Sequence, residues 1–454
     1  HPNFGAYISC DSNEMVTWGI LAIGEWLLGR ETAWMSPTFW DFFSKEHNVF
    51  FNSPNHTRVE YWYLFYVNAL AGIVAKNVIN GGEAMALAAG AADTLAEIAE
   101  KVQYDFNAQG FDFTVYKSWT NKHIYRQPDS LAGFAYNMLF AALSFDKPDL
   151  IAKSAYALDL YAAFESNPWY EIPNGSSGLY AAAWLNAHGW LNNVKKTAAW
   201  IFDNQEGPLQ VGKWGKEPID GLIMGWRGDN RMYAASAAYS METLMPLQFI
   251  LPAIRYCPEL CKAAAKYIRC ALSSFRLFFA EGTELIYETK PNINVSVPYE
   301  KLERERDGHT PAACGDYYGH RSVYGAGYMY WVEALARKTG ENMIPALDLS
   351  LTDWPSAKKY PIFLLDNPFD RDVSLAFTPA PAWKCVAPDL FADGRLEASV
   401  WDLEDVSRLG AADGAINCAL GPGRTKLIAV LPNGNTPQRA GGVIKCSGAE
   451  LMVE

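Results

Sequence analysis

Charge is scarce in this chain. Of its 454 residues only 19% are Asp, Glu, Lys or Arg, and acids outnumber bases to leave a formal net charge of -12. A surface of that sign repels phosphate backbones and anionic lipid alike, so nucleic acid and a membrane surface are excluded as general partners, while a local basic pocket is not. Runs of about 18 uncharged apolar residues are also missing, and with them the sequence sign of a membrane span. Cysteine is sparse: the eight residues Cys10, Cys257, Cys261, Cys270, Cys314, Cys385, Cys418 and Cys446 form no C-x-x-C pair, which removes the usual zinc and redox frameworks. Disulfides stay open, and Cys257, Cys261 and Cys270 fall in or beside a helical stretch where a free thiol serves as a small hydrophobe. No metal and no cofactor are expected. The chain opens on His1-Pro2 without methionine, read as a processed or trimmed form with a secreted or periplasmic location.

Apolar and aromatic residues are what the chain has in plenty. Half of it is apolar and 14% aromatic, with 16 Trp and 24 Tyr. A chain of this length buries at least one large core with a smaller second unit, and its composition is that of a folded enzyme. Six segments share one pattern: "SNEMVTWGILAIGEWLLG" from Ser12, "NHTRVEYWYLFYVNALAGIVAK" from Asn55, "PDSLAGFAYNMLFAALSF" from Pro128, "NGSSGLYAAAWLNAHGWL" from Asn174, "GWRGDNRMYAASAAYSMETL" from Gly225 and "GHRSVYGAGYMYWVEALARKTG" from Gly319. Each opens on capping or turn residues and continues apolar nearly all round, as a helix covered on every side must. Amphipathic stretches such as "GEAMALAAGAADTLAEIAEKV" and "KPDLIAKSAYALDLYAAFES" lie between them. Inner helix followed by outer helix, six times over, predicts an (α/α)6 toroid across residues 1–350. A generic helical bundle is the plainer alternative.

Near "LTDWPSAKKY" the texture changes to short apolar or alternating runs bounded by Gly, Pro, Asn and Asp, including "VSLAFTPA", "GRLEASVWDL" and "RTKLIAVLPNG". These read as strands and turns, and residues 351–454 are expected to form a small β-sandwich.

In such a barrel the inner helices run one way and their N-termini share one rim. The polar groups expected there are Asn13, Glu14, Asn55, His56, Arg58, Asp129, Asn174, Ser176, Ser177, Arg227, Asp229, Asn230, Arg231, Tyr317, Tyr318, His320 and Arg321. Helix dipoles add partial positive charge to the same rim and favour anions. Asp129, Asn174, Ser176 and Asp229 are each explained by N-capping alone. Arg58, Arg227, Arg231 and Arg321 need carboxylates or a bound anion. His188, midway along an inner segment, reads as a hydrogen-bonded core residue, and neither His56 nor His320 has metal-ligand spacing to a second histidine. Trp119, Tyr125, Trp169, Tyr170, Trp214, Trp226, Tyr317 and Tyr318 fall in loops beside the inner starts. Aromatic faces stack on sugar C–H surfaces, although such residues also staple loops to a barrel. Sequons at Asn55, Asn174 and Asn294 are near chance for this length, and glycans on the first two would block the mouth.

With these segments in place the chain resembles the α/α-toroid carbohydrate-active enzymes, especially polysaccharide lyases with a helical barrel and a following β-sandwich. The adjacent Asn55-His56 of "SPNHTRVEYWY" is similar to the Asn-His pair of several toroid lyases. The resemblance implies an oligo- or polysaccharide substrate containing uronic acid and cleavage by β-elimination. Asn55, Arg58, Asn230 and Arg231 would neutralise the carboxylate, and His56, His320, Tyr317 and Tyr318 would act as base and acid, with Asp129, Asn174, Trp226, Arg227, Asp229 and Arg321 lining the substrate. The alternative on the same scaffold is a glycoside hydrolase with two carboxyl groups drawn from Asp129, Glu171, Asp229 and Asp316. Terpenoid chemistry of the linalool dehydratase/isomerase type, similar in helix rhythm, and sugar binding without turnover are more distant readings. Nothing in the sequence fixes the oligomeric state.

Overall fold

The computed structural model describes residues 14–54, 56–120, 126–170, 172–203, 207–214, 217–223, 244–276 and 327–454. Its main helices are α1 (Met15–Leu27), α2 (Tyr61–Ile73), α3 (Gly82–Lys101), α4 (Ser130–Ser144), α5 (Leu150–Ala162), α6 (Ile172–Ala187), α7 (Val194–Phe202), α8 (Leu247–Tyr256), α9 (Cys261–Arg276) and α10 (Tyr328–Leu335). Two kinds alternate, as the pattern of side chains requires. Helices α1, α2, α4 and α6 bury residues on nearly every side, whereas α3, α5 and α7 carry an exposed charged face. The buried set lies in succession: α10 packs on α1, α1 on α2, α2 on α4, α4 on α6 and α6 on α8.

Close backbone approach explains the small residues in these segments. A Cβ on Gly178 of α6 would stand 2.4 Å from the Ala132 Cβ of α4, and one on Gly133 would stand 2.4 Å from Asn174 Oδ1. Gly133 also meets Phe65, near the start of α2, while Gly72 near its end meets Phe140 of α4. The starts of α2, α4 and α6 therefore share one end of the layer. The fifth expected inner segment, residues 225–244, lies outside the described residues except for its last. The helix beside α6 is α8, buried at every one of its positions. Pro252 and Arg255 within it break the apolar signature that marks the others.

Tyr61–Ile79, α2 with its continuation, is long and apolar enough to cross a membrane, although Lys76 interrupts its uncharged run. Of the window that qualifies, 72% is buried inside the protein, so packing against α1, α3 and α4 accounts for its composition. The turn at its end is closed by Asn80, with φ 50°, in the left-handed conformation that commonly stops a helix.

Three short strands, β1 (Arg58–Glu60), β2 (Gly110–Asp112) and β3 (Lys117–Trp119), pair antiparallel ahead of α2 and α4. Two more antiparallel pairs stand alone, Phe43–Ser44 with Val49–Phe50 and Leu209–Trp214 with Glu217–Ile223. The remaining strands described are C-terminal: β4 (Ala336–Arg337), β5 (Ala346–Asp348), β6 (Ile362–Asp366), β7 (Val373–Phe377), β8 (Phe391–Ala392), β9 (Arg395–Asp402), β10 (Ser407–Asp413), β11 (Ile416–Leu420), β12 (Thr425–Pro432), β13 (Gln438–Ala440), β14 (Val443–Cys446) and β15 (Ala449–Val453). One sheet has the order β8-β9-β12-β6-β5-β4 with β10 beside β9, and the pair β7-β11 and the triplet β13-β14-β15 complete the region. Strands β7 and β11 alternate buried and exposed positions, which is the two-residue period of a half-covered strand. Pairing reaches back to Ala336, directly after α10.

In the stretch 351–361, every residue but Ser356, Ala357 and Lys358 is buried. Asp353, Trp354 and Lys359 are 0%, 1% and 6% exposed, and they sit against the C-terminal halves of the inner helices. Asp353 accepts hydrogen bonds from Tyr180 Oη at 2.6 Å, Tyr256 Oη at 2.8 Å and Ser356 Oγ at 2.8 Å, and forms an ion pair with Arg255. Lys76 Nζ, on the turn after α2, donates to Trp354 O at 2.9 Å and Pro355 O at 3.0 Å. Around Asp353 and Trp354 this end of the helical layer is filled by protein.

Candidate active site

At the opposite end, where these helices begin, stand Glu14, Asp129, Asn174, Ser176 and Ser177. Glu14 immediately precedes α1 and makes no side-chain cap. Asn52 does that work instead: its Oδ1 accepts from Val16 N at 3.0 Å and its carbonyl from Met15 N at 2.8 Å. Relieved of capping, the Glu14 carboxyl is left largely buried, and its Oε2 has no hydrogen-bond partner among the described residues. Burial pushes its pKa up to about 7, an effect that the adjacent Thr17 and Asn52 side chains offset only in part. The outcome is a carboxyl group that holds its proton near neutrality, the property a general acid requires.

Glu60, in the same place before α2, is engaged differently. Gln109 Nε2 donates to its Oε1 at 2.9 Å and Gln127 Nε2 to its Oε2 at 3.0 Å. Gln127 in turn accepts from Trp62 N at 2.8 Å, so it caps α2 from the chain ahead of α4. Tyr61 Oη bonds Ser118 Oγ at 2.8 Å, and burial raises its pKa to about 12. These contacts fix β3 and the starts of α2 and α4 relative to one another.

His56 is exposed, in the turn ahead of β1, with its backbone N–H on Ser53 O at 3.2 Å. Arg58 is exposed too, and its guanidinium lies 4.1 Å above the Trp119 ring across the three-stranded sheet. That cation–π contact takes the place of the carboxylate partner or bound anion expected for it. Asp129 is fully buried and accepts from Tyr170 N at 2.7 Å, joining the start of α4 to the chain ahead of α6.

Asn174 and Ser176 are not the helix caps that their sequence context predicts, because α6 begins at Ile172 and includes both. Pro173 explains the earlier start, since proline suits the first turn of a helix. Asn174, 1% exposed, donates to Ser130 Oγ at 3.2 Å and fills the space left by Gly133. Its sequon is therefore closed to a glycan in the folded protein. Ser176 Oγ bonds back to Ile172 O at 3.0 Å and Pro173 O at 2.9 Å. Asp129 and Asn174 are thus brought together at the junction of α4 and α6. Asn55, Trp226, Arg227, Asp229, Asn230, Arg231, Tyr317, Tyr318, His320 and Arg321 lie outside the described residues.

Trp169 and Tyr170 are buried, 4% and 5% exposed, as loop-stapling aromatics. His188 stands just past the end of α6, partly exposed rather than in the core. Its Nδ1 bonds Trp184 O at 2.7 Å and its Nε2 lies 3.5 Å from Glu450 Oε1. Burial opposes its charge most strongly, but the Glu450 carboxylate and the Trp184 carbonyl together outweigh it and raise its pKa. Cys257, Cys261, Cys270, Cys385, Cys418 and Cys446 are free thiols. Among the described residues no three His, Cys, Asp or Glu side chains gather as a metal site.

No protein-family profile matches the chain, and no curated protein matches it. Solved structures give distant likenesses. One is a novel alpha-amylase from Clostridium perfringens, 10% identical over 73% of this chain and 89% of that one, with a TM-score of 0.38. Another is a GH127 beta-L-arabinofuranosidase from Geobacillus stearothermophilus T6, 9% identical over 96% of this chain and 76% of that one, also at 0.38. A third, a candidate alpha-N-acetylgalactosaminidase from Bacillus halodurans C-125, is 10% identical over 91% and 93% of the two chains at 0.17.

Proposed function

We propose that this chain is a carbohydrate-active enzyme that hydrolyses glycosidic bonds at the rim of an (α/α)6 barrel, with the sheet-rich region as its second domain. Likenesses at the TM-scores above fix neither fold nor activity, so the reading rests on the rim itself. The observation that carries it is Glu14, at the start of an inner helix, whose carboxyl burial raises to a pKa of about 7 so that a substantial share stays protonated near neutral pH. Protonated, it donates to the glycosidic oxygen as the bond breaks. A second carboxylate must then stabilise or attack the sugar carbon, or activate water. Glu171, Asp229 and Asp316 are its expected sources, because Asp129 is committed to Tyr170 N. Elimination at a uronic acid, the route expected from Asn55 and His56, has no comparable support: His56 is exposed and Arg58 is stacked on Trp119.

The test is turnover of aryl glycosides, neutral oligosaccharides and uronic-acid oligosaccharides, read as reducing ends and as ultraviolet absorbance of unsaturated sugar. Hydrolysis releases reducing ends without that absorbance, and Glu14→Gln lowers kcat by roughly two to four orders of magnitude, the usual contribution of a proton-transfer group. Unsaturated product that disappears in His56→Ala would restore the elimination route. Saturable sugar binding with no turnover would reduce the chain to a binding protein.

A further inference from the structure

A cavity of about 730 Å³ opens beside the C-terminal ends of α6 and α8. It lies between the segment 186–195, which joins α6 to α7, the turn 256–260 after α8, and the sheet β13-β14-β15. None of the rim groups lines it. Its size is that of a pocket for a small organic molecule.

The chemistry of its walls selects among ligand classes. Asn186, Asn192 and Asn193 line it, together with Lys195, Glu259 and Glu454. Both carboxylates have partners: Glu259 takes the Cys257 thiol at 3.2 Å and Glu454 takes Arg439 at 2.7 Å. Asn193 Oδ1 caps α7 through Lys196 N at 3.0 Å, which leaves its amide NH2 to point elsewhere. Opposite them, Gly441 and Gly442 hold φ of 59° and 77° and present bare backbone to the opening. An anion would meet Glu259 and Glu454 along with Lys195, and a cation would meet the Lys195 ammonium. A purely apolar ligand would strip water from three amides and return no hydrogen bond. Amide groups and backbone interleaved with the aliphatic surfaces of Leu260 and Val443 match a molecule that has both hydroxyls and C–H faces.

We propose that this cavity is a second binding site, for a neutral hydroxyl-rich ligand of mono- or disaccharide size. It stands apart from the rim and does not require the rim to be hydrolytic. The probes are the neutral disaccharides maltose, cellobiose and lactose, with glucuronate as the charged comparison, each titrated into the full chain by ligand-observed NMR. Hydrogen exchange locates the site. At least one disaccharide should bind saturably and more tightly than glucuronate, with slowed exchange over residues 186–195 and 441–443. Asn186 and Lys195 are exposed, so Asn186→Ala/Lys195→Ala should retain the fold and weaken binding at least about tenfold, or 1.4 kcal/mol. Glu14→Gln should leave that binding unchanged. Absence of saturable binding, preference for glucuronate, protection elsewhere, or binding lost in Glu14→Gln and kept in the double variant would each overturn the proposal. Loss of glycosidase activity in Glu14→Gln with binding intact here separates the two sites.

Discussion

A glutamate placed just before a helix ordinarily accepts the first free N–H groups and lowers its own pKa by doing so. Glu14 departs from that rule because Asn52 has taken the N–H groups and the carboxyl is turned into a largely dehydrated position. Its pKa of about 7 against an ordinary 4.5 has a definite consequence for stability. Between those values the folded chain binds a proton that the unfolded chain has lost, so stability is full below the lower value and falls as pH rises through the upper one. Glu14→Gln removes this dependence. Urea denaturation at about pH 5 and about pH 8 should show the wild type losing up to about 3 kcal/mol relative to the variant, given 1.36 kcal/mol per pKa unit. Equal losses in both proteins would remove Glu14 as the buried acid. The position of Glu14 before an apolar run was readable in the sequence, but its burial was not. Burial depends on Asn52, which comes from outside the helix, and no spacing rule joins the two.

At the scale of elements, the apolar helices were legible wherever their composition was uniform. Met15–Leu27, Tyr61–Ile73 and Ser130–Ser144 fall within segments recognised by small and aromatic residues, and Ile172–Ala187 starts two residues ahead of its own. Leu247–Tyr256 escaped because Pro252 and Arg255 suggest a chain break and a wet surface, whereas both are fully buried. The C-terminal strands were legible through their alternation. The burial of most of 351–361 was not, since Asp353, Lys358 and Lys359 make it polar in composition, yet only Lys358 of the three is exposed. Small residues make a sharper test of helix packing. Gly178→Val drives a side chain into Ala132 across the α4–α6 contact, and should cost roughly 1–3 kcal/mol or more, as overpacking does. Gly82, at the start of α3 with nothing within 4 Å of its Cβ position, should behave oppositely. Gly82→Ala reduces the freedom of the unfolded chain and should stabilise by roughly 0.4–1 kcal/mol. Thermal unfolding of the two variants distinguishes contact from exposure, and equal shifts would mean the helices are farther apart than described.

The molecule as a whole is joined through charge buried where helices meet sheet. Arg255, 1% exposed, pairs with Asp353 and donates to the carbonyls of Leu451 (3.1 Å) and Glu450 in β15. Burial alone would raise the Asp353 pKa, but the Arg255 guanidinium, with the Tyr180 and Ser356 hydroxyls, holds it below the usual carboxylate range. One side chain thus ties an inner helix, the 351–361 stretch and the last strand together. Such a pair adds little over an apolar replacement of the same shape, yet breaking it leaves an unpaired buried charge. Arg255→Met should therefore cost about 3–5 kcal/mol, and adding Asp353→Asn should recover part of that loss because the orphaned charge is gone. The coupling also sets how the chain unfolds. With the pair intact, tryptophan fluorescence and far-ultraviolet circular dichroism should trace one transition, since neither region can leave without exposing Asp353. In Arg255→Met the sheet region loses two backbone acceptors' donor as well as the ion pair, and the two signals should separate. Coincident transitions in the variant would place the cohesion of the two regions in their apolar contact instead of in Arg255.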